Sequence, residues 1–218
     1  MRHDLHVDQD LEGLAHHGAN YIAAAARDAV ARRGLFTMAV SGGRNPWTMF
    51  GDLASCDMPW ERTRIFQVDE RVAPAGDDER NLTHLERSLS GVDVEVVAMP
   101  VQDEDLDAAT AAYERGLPAR FDLIHLGLGP DGHTASLVAN DPVLDVSDRL
   151  VALTAPYQGR RRMTLTYPAL ARTEQLLWLI TGEEARGALT ALLRGDETIP
   201  AGRVSAPRSL IMTDPVVG

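Results

Sequence analysis

The side chains with the most chemical capacity fall in three short segments, each directly after an apolar run. The richest is Leu126-Gly127-Leu128-Gly129-Pro130-Asp131-Gly132-His133-Thr134-Ala135-Ser136. Histidine is the side chain whose ordinary pKa lets it take and return a proton near neutral pH. Glycines around it let the backbone wrap closely around a ligand. His133 is therefore the candidate general base, expected just past a strand at the start of a helix. The segment looks at first like a dinucleotide fingerprint. Asp131, however, sets a carboxylate beside the phosphate site, where it would repel a pyrophosphate.

The second segment is Ser41-Gly42-Gly43-Arg44-Asn45-Pro46. Small residues let backbone amides approach an anion, and a following helix N-terminus adds a favourable dipole. A tight turn needing positive φ accounts for the same glycines equally well. The third, Val68-Asp69-Glu70-Arg71-Val72-Ala73-Pro74, sets three charges immediately after a strand. Arg71 can hold a carboxylate, a carbonyl oxygen or a phosphate. A solvated loop with local ion pairs is the competing reading.

Composition narrows the ligand. The chain has 218 residues and a net charge of −11, which argues against nucleic acid as the main partner. It contains no lysine, which excludes a Schiff-base lysine, a P-loop lysine and a pyridoxal-phosphate lysine. Arginine and backbone N–H groups must hold any phosphate. The lone cysteine, Cys56, permits no internal disulfide and suits a reducing compartment, so the cytoplasm is expected. No apolar run is long enough for a membrane span, and the N-terminus lacks the apolar stretch of a signal peptide. His3 and His6 are expected in a mobile N-terminus, His16, His17 and His84 on helix faces, and His125 satisfied within a strand. No histidine pair has metal-binding spacing, so no metal site is expected.

Positioning these segments requires a scaffold. Leu11 to Arg33 follows helical spacing and stops at Gly34. Asn45-Pro46 reads as the cap and first turn of the next helix. Further helices are predicted over Asn81 to Leu89, Asp107 to Leu117 and Glu183 to Leu193. Strands are predicted at Leu35 to Val40, Arg64 to Val68, Val94 to Ala98, Phe121 to Gly127, Leu150 to Leu153, Met163 to Thr166, Leu176 to Ile180 and Ser209 to Met212. Asp69 to Arg80 reads as a polar loop. This alternation predicts an α/β fold, a Rossmann-like, mainly parallel sheet with helices on both faces, over one domain of residues 1–218. Ligands of such sheets bind beyond the carboxyl ends of the strands, where all three segments lie.

Taken in order, the three segments resemble the 6-phosphogluconolactonase family. They match its Ser-Gly-Gly turn, its Asp-Glu-Arg-x-x-Pro loop and its Gly-x-Gly-x-Asp-Gly-His-Thr-Ala-Ser segment. Asn81 fits the family's Asn about ten residues beyond the arginine. Arg162-Met163-Thr164-Leu165-Thr166-Tyr167-Pro168 is similar to its Arg-x-Thr-Leu-Thr-x-Pro segment. Gly182 to Arg186 is similar to its Gly-x-x-x-Lys helix start, with arginine in place of lysine. The family's Phe-Pro-Gly after Ser-Leu is replaced here by Val138-Ala139-Asn140.

The resemblance implies the fold shared with glucosamine-6-phosphate deaminase. It implies hydrolysis of 6-phosphoglucono-1,5-lactone, the second step of the pentose phosphate pathway, with no cofactor or metal. In that picture His133 activates water, Asp131 or Asp69 orients it, and Arg71 faces the carbonyl oxygen. Ser41, Gly42, Gly43, Asn81, Gly129, Arg162 and Arg186 bind substrate or phosphate. The partner is a small phosphosugar lactone, and the chain is a monomer or homodimer. Two alternatives are a deaminase–isomerase and a non-catalytic sugar-phosphate sensor. Deaminase relatives carry a Glu five residues after the motif His, where this chain has Val138, which cannot transfer a proton. A sensor would need a DNA-binding head, for which the residues before the first predicted strand are too few.

Overall fold

The computed structural model describes residues 2–217. Its strands are β1 (Asp4–Val7), β2 (Phe36–Val40), β3 (Thr63–Gln67), β4 (Asp69–Arg71), β5 (Glu95–Val97), β6 (Leu123–Leu126), β7 (Val151–Leu153), β8 (Arg162–Leu165), β9 (Gln175–Ile180) and β10 (Arg208–Thr213). Its helices are α1 (Leu11–Arg33), α2 (Arg44–Ala54), α3 (Asn81–Ser88), α4 (Leu106–Gly116), α5 (Tyr167–Leu170) and α6 (Arg186–Leu193).

Helix α1 shows how local sequence sets the elements. The Asp10 carboxylate accepts from the Gly13 amide at 2.8 Å and caps the start. Gly34, at φ 77°, turns left-handed and donates to the Val30 carbonyl, which ends the helix. Between them Leu14, Ile22 and Ala26 form a fully buried face.

Seven strands form a parallel sheet in the order β1-β10-β9-β6-β2-β3-β5. Helices α1, α2 and α3 cover one face, where Leu14, Phe50 and Leu85 join one apolar cluster. Helices α4 and α6 cover the other, where Tyr113 and Leu189 join a second. The chain runs outward from β2 through β3 to β5, then returns to lay β6 against the opposite side of β2. At such a reversal the loops leaving β2 and β6 diverge and open a crevice at the carboxyl edge. Those loops carry Ser41-Gly42-Gly43 and Gly127 to His133, and the Ser41 amide donates to the His125 carbonyl at 3.2 Å.

A small antiparallel sheet, β4-β8-β7, stands beside this edge. Its register pairs Asp69 with Thr164 and Arg71 with Arg162. The first segment expected as loop is thus strand β4. Three alternating charges carry no apolar pattern of their own, and only pairing with β8 makes them a strand. Alternation also divides their roles: Glu70 is fully buried, while Asp69 and Arg71 line the cleft.

Several other expectations are corrected. Asp4–Val7, in the segment expected to be mobile, instead pairs with β10 as the edge strand β1. Helix α2 starts at Arg44 with Gly43 as its cap position, so Asn45 lies inside the first turn. The last predicted helix is split into a short 3-10 turn, Glu183–Ala185, and α6. No helix follows His133: Ala135 takes φ 51° and Leu137 closes a turn onto Thr134. His125 is fully buried, but neither ring nitrogen has a hydrogen-bond partner among the described residues. Among those residues no helix is long and apolar enough to cross a membrane.

Candidate active site

The crevice at the β2/β6 reversal holds a cavity of about 210 Å³. Ser41, Gly42, Gly43, Asp69, Arg71, Asn81, Gly129, His133 and Arg162 all line it. Loops separated by up to about half the chain therefore meet at one place. A neighbouring compartment of about 310 Å³ shares Gly43, Arg71, Asn81 and Arg162 and adds Arg160 and Gln158.

His133 is held from two sides. Its Nδ1 lies 2.5 Å from Asp131 Oδ1, and its backbone amide donates to the same oxygen at 3.2 Å. Its carbonyl accepts from the Gly129 amide at 2.9 Å, which folds the loop back on itself. Glycine at 129 makes room for the ring, because a Cβ there would lie 2.2 Å from the imidazole. Gly132 takes φ 83°, the left-handed conformation that makes the turn. Burial opposes ionisation of Asp131, but hydrogen bonds from the His133 side chain and backbone outweigh it and hold the carboxyl below its ordinary range.

Asp69 has a different partner. It accepts from Ser136 Oγ at 2.5 Å and from Asn81 Nδ2 at 3.3 Å. Of the two expected orienting carboxylates, the structure places Asp131, not Asp69, against His133. Asn81 in turn accepts from Arg71 Nη1 at 2.7 Å, and the Glu79 carbonyl accepts from the same nitrogen at 2.8 Å. Gly42 allows this, because a Cβ there would lie 2.0 Å from Asn81 Oδ1.

Arg162 donates to Gln158 Oε1 at 3.1 Å and stacks 4.9 Å above the Tyr157 ring. Its Nε is buried without a partner among the described residues. Burial lowers its pKa, with Asp69 acting in the opposite direction. Tyr157 also meets the His133 ring edge-on at 5.9 Å. Ser41 Oγ is likewise buried without a partner. The first turn of α2 has no side-chain cap, so its amides are open to an anion.

Two expected site residues, Asp131 and Arg186, do not line the cavity. Asp131 reaches it through His133, whereas the Arg186 guanidinium donates to the Val216 carbonyl. Sequence reasoning missed Ser136, Tyr157, Gln158 and Arg160. The last three sit on a tight hairpin whose tip is Gln158-Gly159, at φ 52° and 82°. A residue–glycine pair between two short apolar runs was the available signal. Glu70 was also missed as an organiser. It accepts from Gln67 Nε2 and from the amides of Arg71, Asn81 and Leu82, each at 2.8 Å, and pairs with buried Arg80 at 3.4 Å. It thereby anchors the start of α3, and Asn81 with it.

A hydrogen-bonded His–Asp pair, an arginine cluster and an open helix N-terminus in one crevice suit hydrolysis of a phosphorylated ester. Comparison with known proteins agrees with that chemistry. The family model for glucosamine-6-phosphate isomerases/6-phosphogluconolactonase matches residues 9–212. The chain belongs to that family. It is 34% identical over 210 residues to a 6-phosphogluconolactonase of Mycobacterium tuberculosis, covering 85% of each chain. It is 36% identical over 193 residues to the human GDH/6PGL endoplasmic bifunctional protein, covering 81% of this chain but only 24% of that protein's length. Among solved structures, a 6-phosphogluconolactonase of Thermotoga maritima superposes with a TM-score of 0.89 at 28% identity, covering 98% of this chain and 100% of that one.

Proposed function

We propose that this cleft hydrolyses 6-phosphoglucono-1,5-lactone to 6-phosphogluconate, with His133 as general base. The Asp131–His133 contact at 2.5 Å carries the reading. An ionised Asp131 only accepts hydrogen bonds, so Nδ1 of the imidazole bears the proton and Nε2 has the free lone pair. Nε2 takes a proton from water as its oxygen attacks C1 of the lactone. Arg71 stabilises the oxyanion that forms. The C1–ring-oxygen bond then breaks, and His133 returns the proton to the ring oxygen.

Ester hydrolysis balances without a redox partner. A general base contributes roughly 10²–10⁴-fold and an oxyanion donor on the order of 10²–10³-fold. Lactones hydrolyse slowly unaided, so these two terms suffice. The phosphate rests on the Gly42 and Gly43 amides at the start of α2, with Ser41 Oγ and Arg162. Arg186 would join only by leaving the Val216 carbonyl. The unpaired Cys56 supports a reducing compartment, the cytoplasm, as the place of the reaction.

Val138, at the position where deaminase relatives carry their Glu, is a buried apolar side chain. It cannot assist ring opening of an amino sugar. The test is His133→Ala in a lactone-hydrolysis assay with spontaneous hydrolysis subtracted. Activity within a few-fold of the unsubstituted protein removes His133 from the mechanism. Ammonia release from glucosamine 6-phosphate would replace hydrolysis with deamination.

A further inference from the structure

At the outer edge of the main sheet a second cavity, of about 720 Å³, opens between β1 and the first turns of α1. It shares no lining residue with the cleft. His6 on β1, Asp8 just beyond it and His17 on α1 converge there, each offering one ligand atom within 4.8 Å of the others. His6 Nε2 lies 3.4 Å from Asp8 Oδ1, and His17 Nδ1 contacts the same oxygen. The two imidazole rings meet edge to face at 5.4 Å.

Asp8 is the unusual member. Its side chain is 3% exposed, and its second oxygen is buried with no hydrogen-bond partner among the described residues. Its backbone amide donates to the Thr213 carbonyl at 2.8 Å, which fixes the residue at the end of β1. A buried carboxylate oxygen without a partner is costly unless a cation or donor meets it. The rest of the cavity favours a cation. Asp10, Glu12 and Asp52 line it, and no arginine does.

We propose that His6, Asp8 and His17 bind one divalent transition cation of the zinc type, which clamps the edge strand β1 to α1. Two imidazoles and one carboxylate suit zinc and its neighbours, whereas magnesium and calcium prefer all-oxygen sites. Bonds of about 2.0–2.1 Å in a tetrahedral site separate ligand atoms by about 3.3 Å, close to the His6–Asp8 spacing. His17 withdraws slightly from Asp8 to admit the ion, and water completes the shell. Strand β1 has four residues, all exposed, and is otherwise tied mainly by its pairing with β10. The sequence conceals the site because His6 and His17 stand at no helical or strand repeat from each other. The expectation of no metal site rested on that spacing and on the family resemblance.

The experiment uses untagged protein stripped with chelator and titrated with zinc chloride, followed by calorimetry and native mass spectrometry. One equivalent binds, and Tm rises by about 5 °C or more at a hundredfold excess over Kd. His6→Gln and His17→Gln, both at exposed positions, each weaken binding by about tenfold or more. Cobalt in place of zinc gives visible absorption bands that disappear in both variants. Absence of saturable binding, or binding that survives both substitutions, overturns the proposal.

Discussion

Replacing Gly129 by alanine tests whether the position of the His133 ring governs the rate. The added Cβ would lie 2.2 Å from both Cε1 and Nδ1 of His133, and 2.9 Å from Asp131 Oδ1. Non-bonded carbons require about 3.5–4.0 Å, so the ring must retreat by at least about 1.3 Å. Gly129 does not have a positive φ, so alanine adds no backbone strain there. The whole effect falls on the imidazole and its 2.5 Å contact with Asp131. A displacement of about 1 Å at a reacting group costs on the order of 10²-fold, which is the expected fall in kcat. KM changes by less than about threefold, because the residues proposed to hold phosphate are untouched.

The assay supplies freshly made lactone, couples product to a dehydrogenase and subtracts spontaneous hydrolysis. A second comparison isolates the cause. In a His133→Ala background the ring is gone, so Gly129→Ala should add nothing. Two results would refute the reasoning. One is a Gly129→Ala kcat within about threefold of the unsubstituted protein. The other is a further hundredfold fall in the double variant.

Three other perturbations follow from the same geometry. Gly42→Ala drives a Cβ to within 2.0 Å of Asn81 Oδ1, which breaks its hydrogen bond with Arg71. Steady-state kinetics should show kcat/KM lowered by about ten- to a hundredfold, the worth of a charge-assisted hydrogen bond. Glu70→Gln leaves buried Arg80 without its counter-charge. Urea unfolding should register a loss of about 3–5 kcal/mol, and a loss under about 1 kcal/mol would contradict the anchoring role. His125 is held neutral by burial, which pushes its pKa down to about 3. The unfolded chain takes up this proton near pH 6.5 and the folded chain only near 3, so stability is full above about pH 6.5 and falls as pH drops through that window. The loss between pH 7 and pH 5 is about 2 kcal/mol, and His125→Leu should flatten that part of the pH dependence in urea melts.

Much of the scaffold was legible because its signals are local. The 3.6-residue repeat and Gly34 located α1 to the residue. The apolar runs before each glycine-rich or charged segment located β2, β3 and β6 within a residue or two. Their alternation with helices led to the parallel sheet, and the sheet to its carboxyl edge. Strand β1 escaped because Asp4–Val7 is exposed along its length and has no buried face to pattern it. Strand β4 escaped because its three charges become a strand only through β8.

His133, Arg71 and the Ser41-Gly42-Gly43 turn could be singled out from residue type and order alone, and Asn81 from the family resemblance. Chemistry at each of them depends on a short segment and the strand that precedes it. Partnership was different. Asp131 and Asp69 were equal candidates to orient His133, and only the fold chose between them. Asp131 reaches the ring across a two-residue turn, whereas Asp69 is drawn to Ser136, 67 residues away, and to Asn81. The same holds for Arg186, which has the right charge but bonds Val216, and for the His6, Asp8 and His17 cluster. Sequence thus determined which groups could do chemistry and on which edge of the sheet they stand. The tertiary structure decided which of them meet, because the reversal of strand order at β2 brings distant loops together, and no local periodicity encodes that reversal.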